Sequence, residues 1–129
     1  MAKNLSEPKK DNWTFVATNV KGKIIAFMSG GESRKKDIKK FNGELFAIYV
    51  LKKYQNNKLG YRLTKKLVST LEKCHIHSMF VRVLKNNDSK LFYTKYGAKL
   101  FKTIKVKIGN QKLVEELYGW KNFKQFRSS

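Results

Sequence analysis

The chain has 129 residues and carries 29 lysine and arginine side chains against 9 aspartate and glutamate side chains, a formal net charge of +20. This length supports one domain with a single hydrophobic core, and we expect one soluble, cytoplasmic domain over residues 1–129. A hydrophobic content of 41% excludes a disordered basic tail, a single cysteine excludes a disulfide framework, and no apolar run approaches the roughly 20 residues that span a membrane.

The first part of the chain predicts a hairpin, a loop and a central strand. Residues 1–12 are polar and predict a flexible end. Two strand-like segments, Trp13–Val20 and Lys23–Ser29, flank a Lys-Gly turn and predict a hairpin. The lysine-rich stretch Gly30–Gly43 has no clear period and predicts a mobile loop. The segment Glu44–Leu51 is apolar on both faces after its first residue, which predicts a strand buried in the middle of a sheet.

The second part predicts a strand–helix–strand unit and a closing hairpin. Leucines recur every four residues over Leu59–Leu71 and predict an amphipathic helix of about four turns. Ser78–Leu84 predicts another strand, and Lys90–Tyr96 predicts a short helix that the following glycine ends. Ala98–Ile108 and Lys112–Trp120 predict a hairpin around a Gly-Asn turn. The order β-β-β-α-β-α-β-β predicts an α/β domain with a mixed, mostly antiparallel sheet and two main helices.

The junction between the buried strand and the long helix is the most informative place for chemistry. The segment VLKKYQNNKLGYR, Val50–Arg62, leads from the strand through a polar loop with Gly60 directly into the helix. Free backbone N–H groups and the positive end of the helix dipole meet there, and both suit an anionic phosphate. Positive side chains add to this field: Lys52, Lys53, Lys58 and Arg62.

Two motifs in this order resemble the Gcn5-related N-acetyltransferases (GNAT). The run Gln55-Asn56-Asn57-Lys58-Leu59-Gly60 resembles the family's acetyl-CoA motif Gln/Arg-x-x-Gly-x-Gly/Ala, with Lys58 in place of the first glycine. Asn86, followed by Phe92-Tyr93 and Gly97, resembles the family's second signature. The resemblance covers about residues 13–121 and implies the acyl-CoA N-acyltransferase (GNAT) fold for the whole chain.

The resemblance also implies an activity and a set of site residues. It implies transfer of acetyl from acetyl-CoA to a primary amine by direct attack, without a covalent acyl-enzyme and without a metal. Pantetheine would pair with the backbone of the central strand at Ile48, Tyr49 and Val50, where an N–H group would polarise the thioester oxygen. The pyrophosphate would lie against Gln55, Asn56, Asn57, Lys58, Leu59, Gly60 and Tyr61. Asn86 would bind the pantetheine arm or cap the short helix.

Two candidate catalytic residues, Tyr93 and Glu44, and the motif residue Lys58 each have alternative roles. Tyr93 is the candidate general acid for the leaving CoA thiolate, and otherwise packs beside Phe92. Glu44 is the candidate general base with a pKa raised by partial burial, and otherwise pairs with a lysine at the strand edge. Lys58 either points outward, which would retain but weaken acetyl-CoA binding, or it crowds the loop or fills the cofactor groove. We favour the outward orientation.

The acceptor side departs from the family pattern. Members usually begin with a strand and two helices that wall the acceptor site, whereas only residues 1–29 precede the Gly30–Gly43 loop here. We expect this wall to be missing, replaced by the basic loop with its patch Arg34–Lys40, or supplied by another subunit. Pairing of two copies into a homodimer through the terminal hairpin stays open.

The charge leaves two alternative functions. Lysines outnumber arginines 25 to 4 and are scattered, whereas base readout and phosphate clamps favour arginine. A nucleic-acid partner is therefore possible but not favoured, and widespread positive charge favours a small or neutral-to-acidic amine as acceptor. The alternatives are a non-catalytic acyl-CoA- or partner-binding module on the same fold, and a basic nucleic-acid- or ribosome-associated protein.

The Cys74-His75-x-His77 segment has no further ligands in the sequence, so no metal site is predicted.

Overall fold

A computed structural model describes residues 12–33 and 40–127 and contains one six-stranded sheet. The strands are β1 (Trp13–Thr18), β2 (Ile24–Glu32), β3 (Gly43–Val50), β4 (Met79–Leu84), β5 (Lys99–Ile108) and β6 (Gln111–Trp120). The helices are α1 (Leu59–Lys73), α2 (Ser89–Lys95) and α3 (Lys124–Arg127), with a 3₁₀ helix over Lys52–Asn57. Residues 1–11 of the predicted flexible end and residues 34–39 of the predicted basic patch lie outside the described residues.

The strand order is β1-β2-β3-β4-β6-β5. Neighbouring strands are antiparallel except for β3 and β4, which are parallel and are connected through α1. This confirms the predicted mixed, mostly antiparallel sheet with a strand–helix–strand unit in its middle. The 3₁₀ helix and α3 were not predicted. No helix in the two described ranges is long and apolar enough to cross a membrane.

The predicted loop over Gly30–Gly43 is wrong at its start, because β2 continues through Glu32. A Cβ atom at Gly30 would lie 2.6 Å from Leu67 of α1 and 2.8 Å from the Glu44 carbonyl oxygen. The glycine therefore allows α1 to pack closely against the sheet, and it does not end the strand.

The predicted burial of β3 on both faces holds only for its first three residues, Gly43–Leu45. Pairing with β4 ends at Leu45, opposite Val81. The register with β2 then shifts, because Gly30 pairs with Leu45 and Ser29 pairs with Ala47. Phe46 is the extra residue of this β-bulge, and beyond it β3 and β4 separate. In the second half of β3, the apolar side chains of Ile48 and Val50 line the cavity that is described below.

The core lies mainly on the sheet face that α1 and α2 cover. Leu63, Leu67 and Leu71 of α1 belong to this cluster together with Met28 and Leu45 of the sheet. The opposite face has a smaller cluster of Phe41, Phe80 and Leu117, with Phe101 and Ile104 packed against it. The two faces of the sheet therefore carry separate hydrophobic clusters.

Candidate active site

A cavity of about 870 Å³, here called the wedge cavity, lies where β3 and β4 separate. Its lining residues come from β3, the turn into α1, and the region around α2: Ile48, Val50, Gln55, Lys58, Gly60, Tyr61, Asn87, Asp88, Ser89, Leu91, Phe92, Tyr93, Lys95 and Tyr96. The two motifs that were separate in the sequence therefore meet across one cavity.

The edge of β3 presents backbone groups to the wedge cavity. The N–H of Leu51 donates to the Ile25 carbonyl on β2 (2.9 Å). Because backbone groups alternate in direction along a strand, those of Ile48 and Val50 point toward β4, which has already separated from β3 at this level. This edge can therefore pair with an extended ligand that carries amide groups.

The N-terminus of α1 borders the same cavity without a side-chain cap. The first backbone bond of the helix runs from the Arg62 N–H to the Lys58 carbonyl (3.0 Å), so the preceding N–H groups of the first turn have no partner within the helix. The first turn contains no acidic residue. These N–H groups and the helix dipole together suit a phosphate group.

Lys58 takes the backbone conformation that glycine favours. Its φ of 58° and ψ of 23° lie in the left-handed region, where it joins the 3₁₀ helix to α1. A residue with a Cβ is strained there by about 1–2 kcal/mol. The Lys58 side chain is exposed and lines the wedge cavity. The backbone geometry thus gives a physical reason for the glycine that the GNAT motif has at this position.

Gly60 is needed for a close approach between α1 and α2. A Cβ atom there would lie 3.1 Å from Cε1 of Phe92 and 3.5 Å from Cδ1 of Ile48. Both neighbours line the wedge cavity. A side chain at Gly60 would displace the Phe92 ring and narrow the space beside the helix N-terminus.

Only some of the remaining residues of the predicted pyrophosphate segment line the wedge cavity. Gln55 and Tyr61 line the wedge cavity, whereas Asn57 and Leu59 do not, and Asn56 lies within the 3₁₀ helix. The Gln55 side-chain amide donates to the Val50 carbonyl (3.1 Å), which ties the 3₁₀ helix to the end of β3.

Tyr93 lies in the wedge cavity and is held on two sides. Its ring makes edge-to-face contacts with Phe92 (centroids 5.6 Å apart) and Trp120 (6.2 Å). Burial raises the pKa of Tyr93 to about 12, and a side-chain hydrogen bond with Ser89 opposes this shift. The phenol is therefore protonated throughout the neutral range, and its position is compatible both with packing and with donation of a hydrogen bond into the cavity.

Glu44 lies on the other face of the sheet. It pairs with Phe80 of the smaller cluster, is 2% exposed, and does not line the wedge cavity. Strict alternation along β3 would place Glu44 on the same face as Ile48 and Val50. The bulge at Phe46 reverses the alternation, so the structure does not bring Glu44 and Tyr93 into one cavity.

The side chain of Tyr49 also lies away from the wedge cavity. It is 52% exposed and stacks on Phe27 of β2, with ring centroids 6.0 Å apart. The backbone groups of Tyr49 alternate with those of Ile48 and Val50 and therefore face β2, so neither its side chain nor its backbone hydrogen-bonding groups point to the open edge of β3.

The N-cap residue of α2 is Asp88, which makes no capping hydrogen bond with its side chain, and the side chain that reaches the start of the helix is that of Asn87. The Ser89 N–H donates to Oδ1 of Asn87 (2.9 Å), and Asn87 lines the wedge cavity whereas Asn86 does not. Asn86 is not the N-cap of α2, so its predicted capping role is not observed.

Sequence reasoning missed the aromatic wall behind the wedge cavity. Tyr96 lines the cavity and lies 5.0 Å from the Tyr61 ring, measured between centroids. Phe126 of α3 is fully buried and stacks on Tyr61 at 5.2 Å. The spacing of Phe92 and Tyr96, one helical turn apart, was a signal for this wall. The pair Phe123 and Phe126 likewise indicated a buried turn at the end of the chain.

Metal ligands do not gather anywhere in residues 12–33 and 40–127. No three side chains of His, Cys, Asp or Glu in these ranges are placed so that they could hold an ion. Cys74 is a buried free cysteine that follows the last turn of α1, and His75 has a left-handed φ of 63°.

Comparison with known proteins identifies the family. The chain matches the model of the Acetyltransferase (GNAT) family over residues 2–98. It is 34% identical over 106 residues to the uncharacterized N-acetyltransferase YuaI of Bacillus subtilis (strain 168). The aligned region covers 82% of this chain and 61% of that protein. The chain thus spans about three-fifths of the length of that relative.

Solved structures show the same fold. One is a proposed streptothricin acetyltransferase from Bacillus anthracis str. Ames in complex with acetyl coenzyme A (TM-score 0.73, 18% identity, 89% of this chain and 64% of that chain). Another is the ribosomal-protein-S18-alanine N-acetyltransferase from Escherichia coli (TM-score 0.65, 20% identity). The match to that structure covers 87% of this chain and 70% of that chain. On the match to the family model, supported by the relative and by the fold, the chain belongs to the acetyltransferase (GNAT) family.

Proposed function

We propose that the chain is an N-acetyltransferase that transfers acetyl from acetyl-CoA to a primary amine by direct attack. The wedge cavity carries this proposal, because an open strand edge, an uncapped helix N-terminus and a buried phenol all border it. Family membership supports acetyl-CoA as the donor, and one structural neighbour was solved with acetyl coenzyme A bound.

Donor binding uses the backbone of this chain more than its side chains. The C=O group of Ile48 and one of the two N–H groups of Ile48 and Val50 pair with the amides of the pantetheine arm, which leaves the other N–H group for the thioester oxygen. The N–H groups at the start of α1 bind the pyrophosphate, and Lys58 adds charge at the cavity. The absence of a Cβ atom at Gly60 supports this fit, since the ring of Phe92 occupies the adjacent space.

Catalysis begins with stabilisation of charge on the thioester oxygen. The N–H of Val50 or Ile48 on the open edge of β3 donates to this oxygen, and the contact strengthens as the amine attacks. These donors are part of a sheet and are already oriented, so little reorganisation accompanies the reaction.

Tyr93 donates a hydrogen bond to the leaving sulfur. A thiol has an ordinary pKa of about 8.5. The pKa of Tyr93 is about 12, so complete transfer of its proton to a thiolate is unfavourable. Tyr93 therefore stabilises the developing negative charge by hydrogen bonding while it keeps its proton.

The acceptor amine approaches from the sheet face that carries Glu44, because α1 and α2 cover the other face. Glu44 acts as general base through a bridging water between its buried carboxylate and the amine. A net charge of +20 repels polycationic acceptors and favours a small, neutral or acidic amine in the cytoplasm.

Calorimetry and a thiol-release assay test the proposal together. Acetyl-CoA and CoA are titrated into the protein, and release of CoA is then followed with a panel of small, acidic and polycationic amines. We expect binding of both ligands and turnover with at least one small amine, reduced by Tyr93→Phe. Absence of acetyl-CoA binding would refute the proposal, and binding without turnover on every amine would favour the non-catalytic acyl-CoA-binding module.

A further inference from the structure

A buried carboxylate on β6 is linked to the first turn of α2. The Glu116 side chain is 11% exposed, and its Oε1 lies 3.4 Å from Nζ of Lys90. The same oxygen accepts a 2.9 Å hydrogen bond from the hydroxyl of Tyr118. Burial, together with Glu116, raises the pKa of Tyr118, so this hydroxyl keeps its proton and continues to donate.

Lys90 connects this carboxylate to the loop before α2. Its Nζ donates to the carbonyl of Lys85 (2.7 Å), the first residue after β4. The backbone N–H of Lys85 in turn donates to the Val114 carbonyl on β6 (2.8 Å). One ammonium group thus joins β6, the start of the loop and the first turn of α2.

The helix α2 needs such contacts because it has only seven residues, Ser89–Lys95. A helix of this length is not stable by itself in water. Its C-terminal end is held by Trp120, whose Nε1 donates to the Tyr96 carbonyl (2.8 Å). The Lys90–Glu116 contact holds the N-terminal half, which carries Ser89 and lies next to Asn87 in the wall of the wedge cavity.

We propose that Glu116 is a positioning residue that holds this wall in the shape that binds acetyl-CoA. Glu116 is not among the residues that line the wedge cavity, so it acts through Lys90. A wall that is ordered before the ligand arrives lowers the entropic cost of binding. The identity of the ligand rests on the proposed function, whereas the link between Glu116 and α2 does not.

Glu115 provides a matched control on the same strand. It is the preceding residue of β6, is 15% exposed, and forms an ion pair of 2.8 Å with Arg82 of β4. Its side chain points to the other face of the sheet, where Leu117 belongs to the smaller cluster. Glu115→Gln and Glu116→Gln therefore each remove one largely buried carboxylate with a cationic partner, but only Glu116 contacts α2.

The test compares these two variants by acetyl-CoA calorimetry and by amide hydrogen exchange of α2. For Glu116→Gln we expect acetyl-CoA affinity to fall roughly five- to twentyfold and exchange over residues 89–93 to accelerate, whereas Glu115→Gln stays within about twofold in both. Equal effects of the two variants, or unchanged exchange in Glu116→Gln, would overturn the proposal.

If Glu116→Gln folds poorly, substitutions of its partner Lys90 test the same contact from the other side. Lys90→Met should reproduce the loss of affinity, Lys90→Arg should restore most of it, and Lys90→Met/Glu116→Gln should bind no more weakly than the weaker single variant. Additive losses in the double variant would contradict the link. If the parent protein fails to bind acetyl-CoA, the proposed function is refuted, while the exchange measurement still tests whether Glu116 orders α2.

Discussion

The side-chain amide of Gln55 donates a 3.1 Å hydrogen bond to the carbonyl oxygen of Val50. The first residue of the acetyl-CoA motif is thereby tied to the end of β3, whose open edge borders the wedge cavity. The contact fixes the 3₁₀ helix and, through it, the position of Lys58 at the start of α1. Gln55 thus organises the turn that presents the helix N-terminus.

Loss of the Gln55 side chain should weaken acetyl-CoA binding more than it lowers stability. A neutral hydrogen bond contributes about 0.5–1.5 kcal/mol, so Gln55→Ala should reduce affinity about two- to tenfold in calorimetry. Gln111→Ala, at the exposed start of β6, is the control and should bind like the parent. Equal affinities of Gln55→Ala and the parent would show that the turn keeps its shape without this contact.

The left-handed backbone of Lys58 predicts that glycine is favourable at this position. Lys58→Gly should raise the free energy of unfolding by up to about 1 kcal/mol, because it relieves strain at φ 58°. Lys65→Gly, in the interior of α1, should lower it by about 1 kcal/mol. Denaturant unfolding measures both, and a loss of stability in Lys58→Gly would contradict the interpretation.

The same position separates the effect of charge from the effect of the Cβ atom on acetyl-CoA binding. Lys58→Ala removes the charge and keeps the Cβ, whereas Lys58→Gly removes both. If the Cβ limits the approach of phosphate to the backbone, Lys58→Gly should bind acetyl-CoA more tightly than Lys58→Ala in calorimetry. Indistinguishable affinities would mean that the Cβ does not obstruct the phosphate.

A methyl group at Gly60 should narrow the wedge cavity with little change in stability. The added Cβ would lie 3.1 Å from the Phe92 ring, which must move into the cavity or away from α1. Helix propensity favours alanine over glycine by about 1 kcal/mol and offsets part of this strain. We expect Gly60→Ala to lower acetyl-CoA affinity about tenfold, measured by calorimetry, and Ser69→Ala on the exposed side of α1 to leave it unchanged.

The raised pKa of Tyr93 predicts a specific pH dependence of stability. An unfolded tyrosine loses its proton near pH 10, whereas the folded protein retains it until about pH 12. The stabilising contribution is therefore complete below pH 10 and is lost as pH rises through 12. Between these limits the parent should lose roughly 2–3 kcal/mol of unfolding free energy that Tyr93→Phe does not lose. Parallel pH profiles of the two proteins would refute this assignment.

The same pKa predicts the kinetic behaviour of Tyr93. Because the phenol stays protonated, the pH–rate profile should show no loss of activity from Tyr93 ionisation below about pH 11. Tyr93→Phe should lower kcat roughly a hundredfold and leave the affinity for acetyl-CoA within about threefold. A mutation that raised only the KM for acetyl-CoA would instead assign Tyr93 to donor binding.

Local sequence was sufficient to predict most of the helices and strands and to propose the residues on one side of the wedge cavity. The leucine period located α1, and the turn before it could be proposed as a phosphate-binding segment because it consists of consecutive residues at one helix terminus. Gln55 and Gly60 could be recognised for the same reason. The glycines of β2 were misinterpreted as a loop, because their function, a close approach of α1, involves residues far away in the sequence.

Patterns within a few positions of the chain were enough to predict most of the elements, the family resemblance and the helix terminus that borders the cavity. The face of the sheet on which each candidate residue lies depends on strand register and therefore follows from the three-dimensional structure alone. A single extra residue, Phe46, places Glu44 on the opposite face from Ile48. The contact between Glu116 and Lys90 likewise exists only because β6 lies beneath α2. Register shifts and packing contacts depend on residues that are far apart in the sequence. The hydrophobic periodicity of one segment therefore does not predict them.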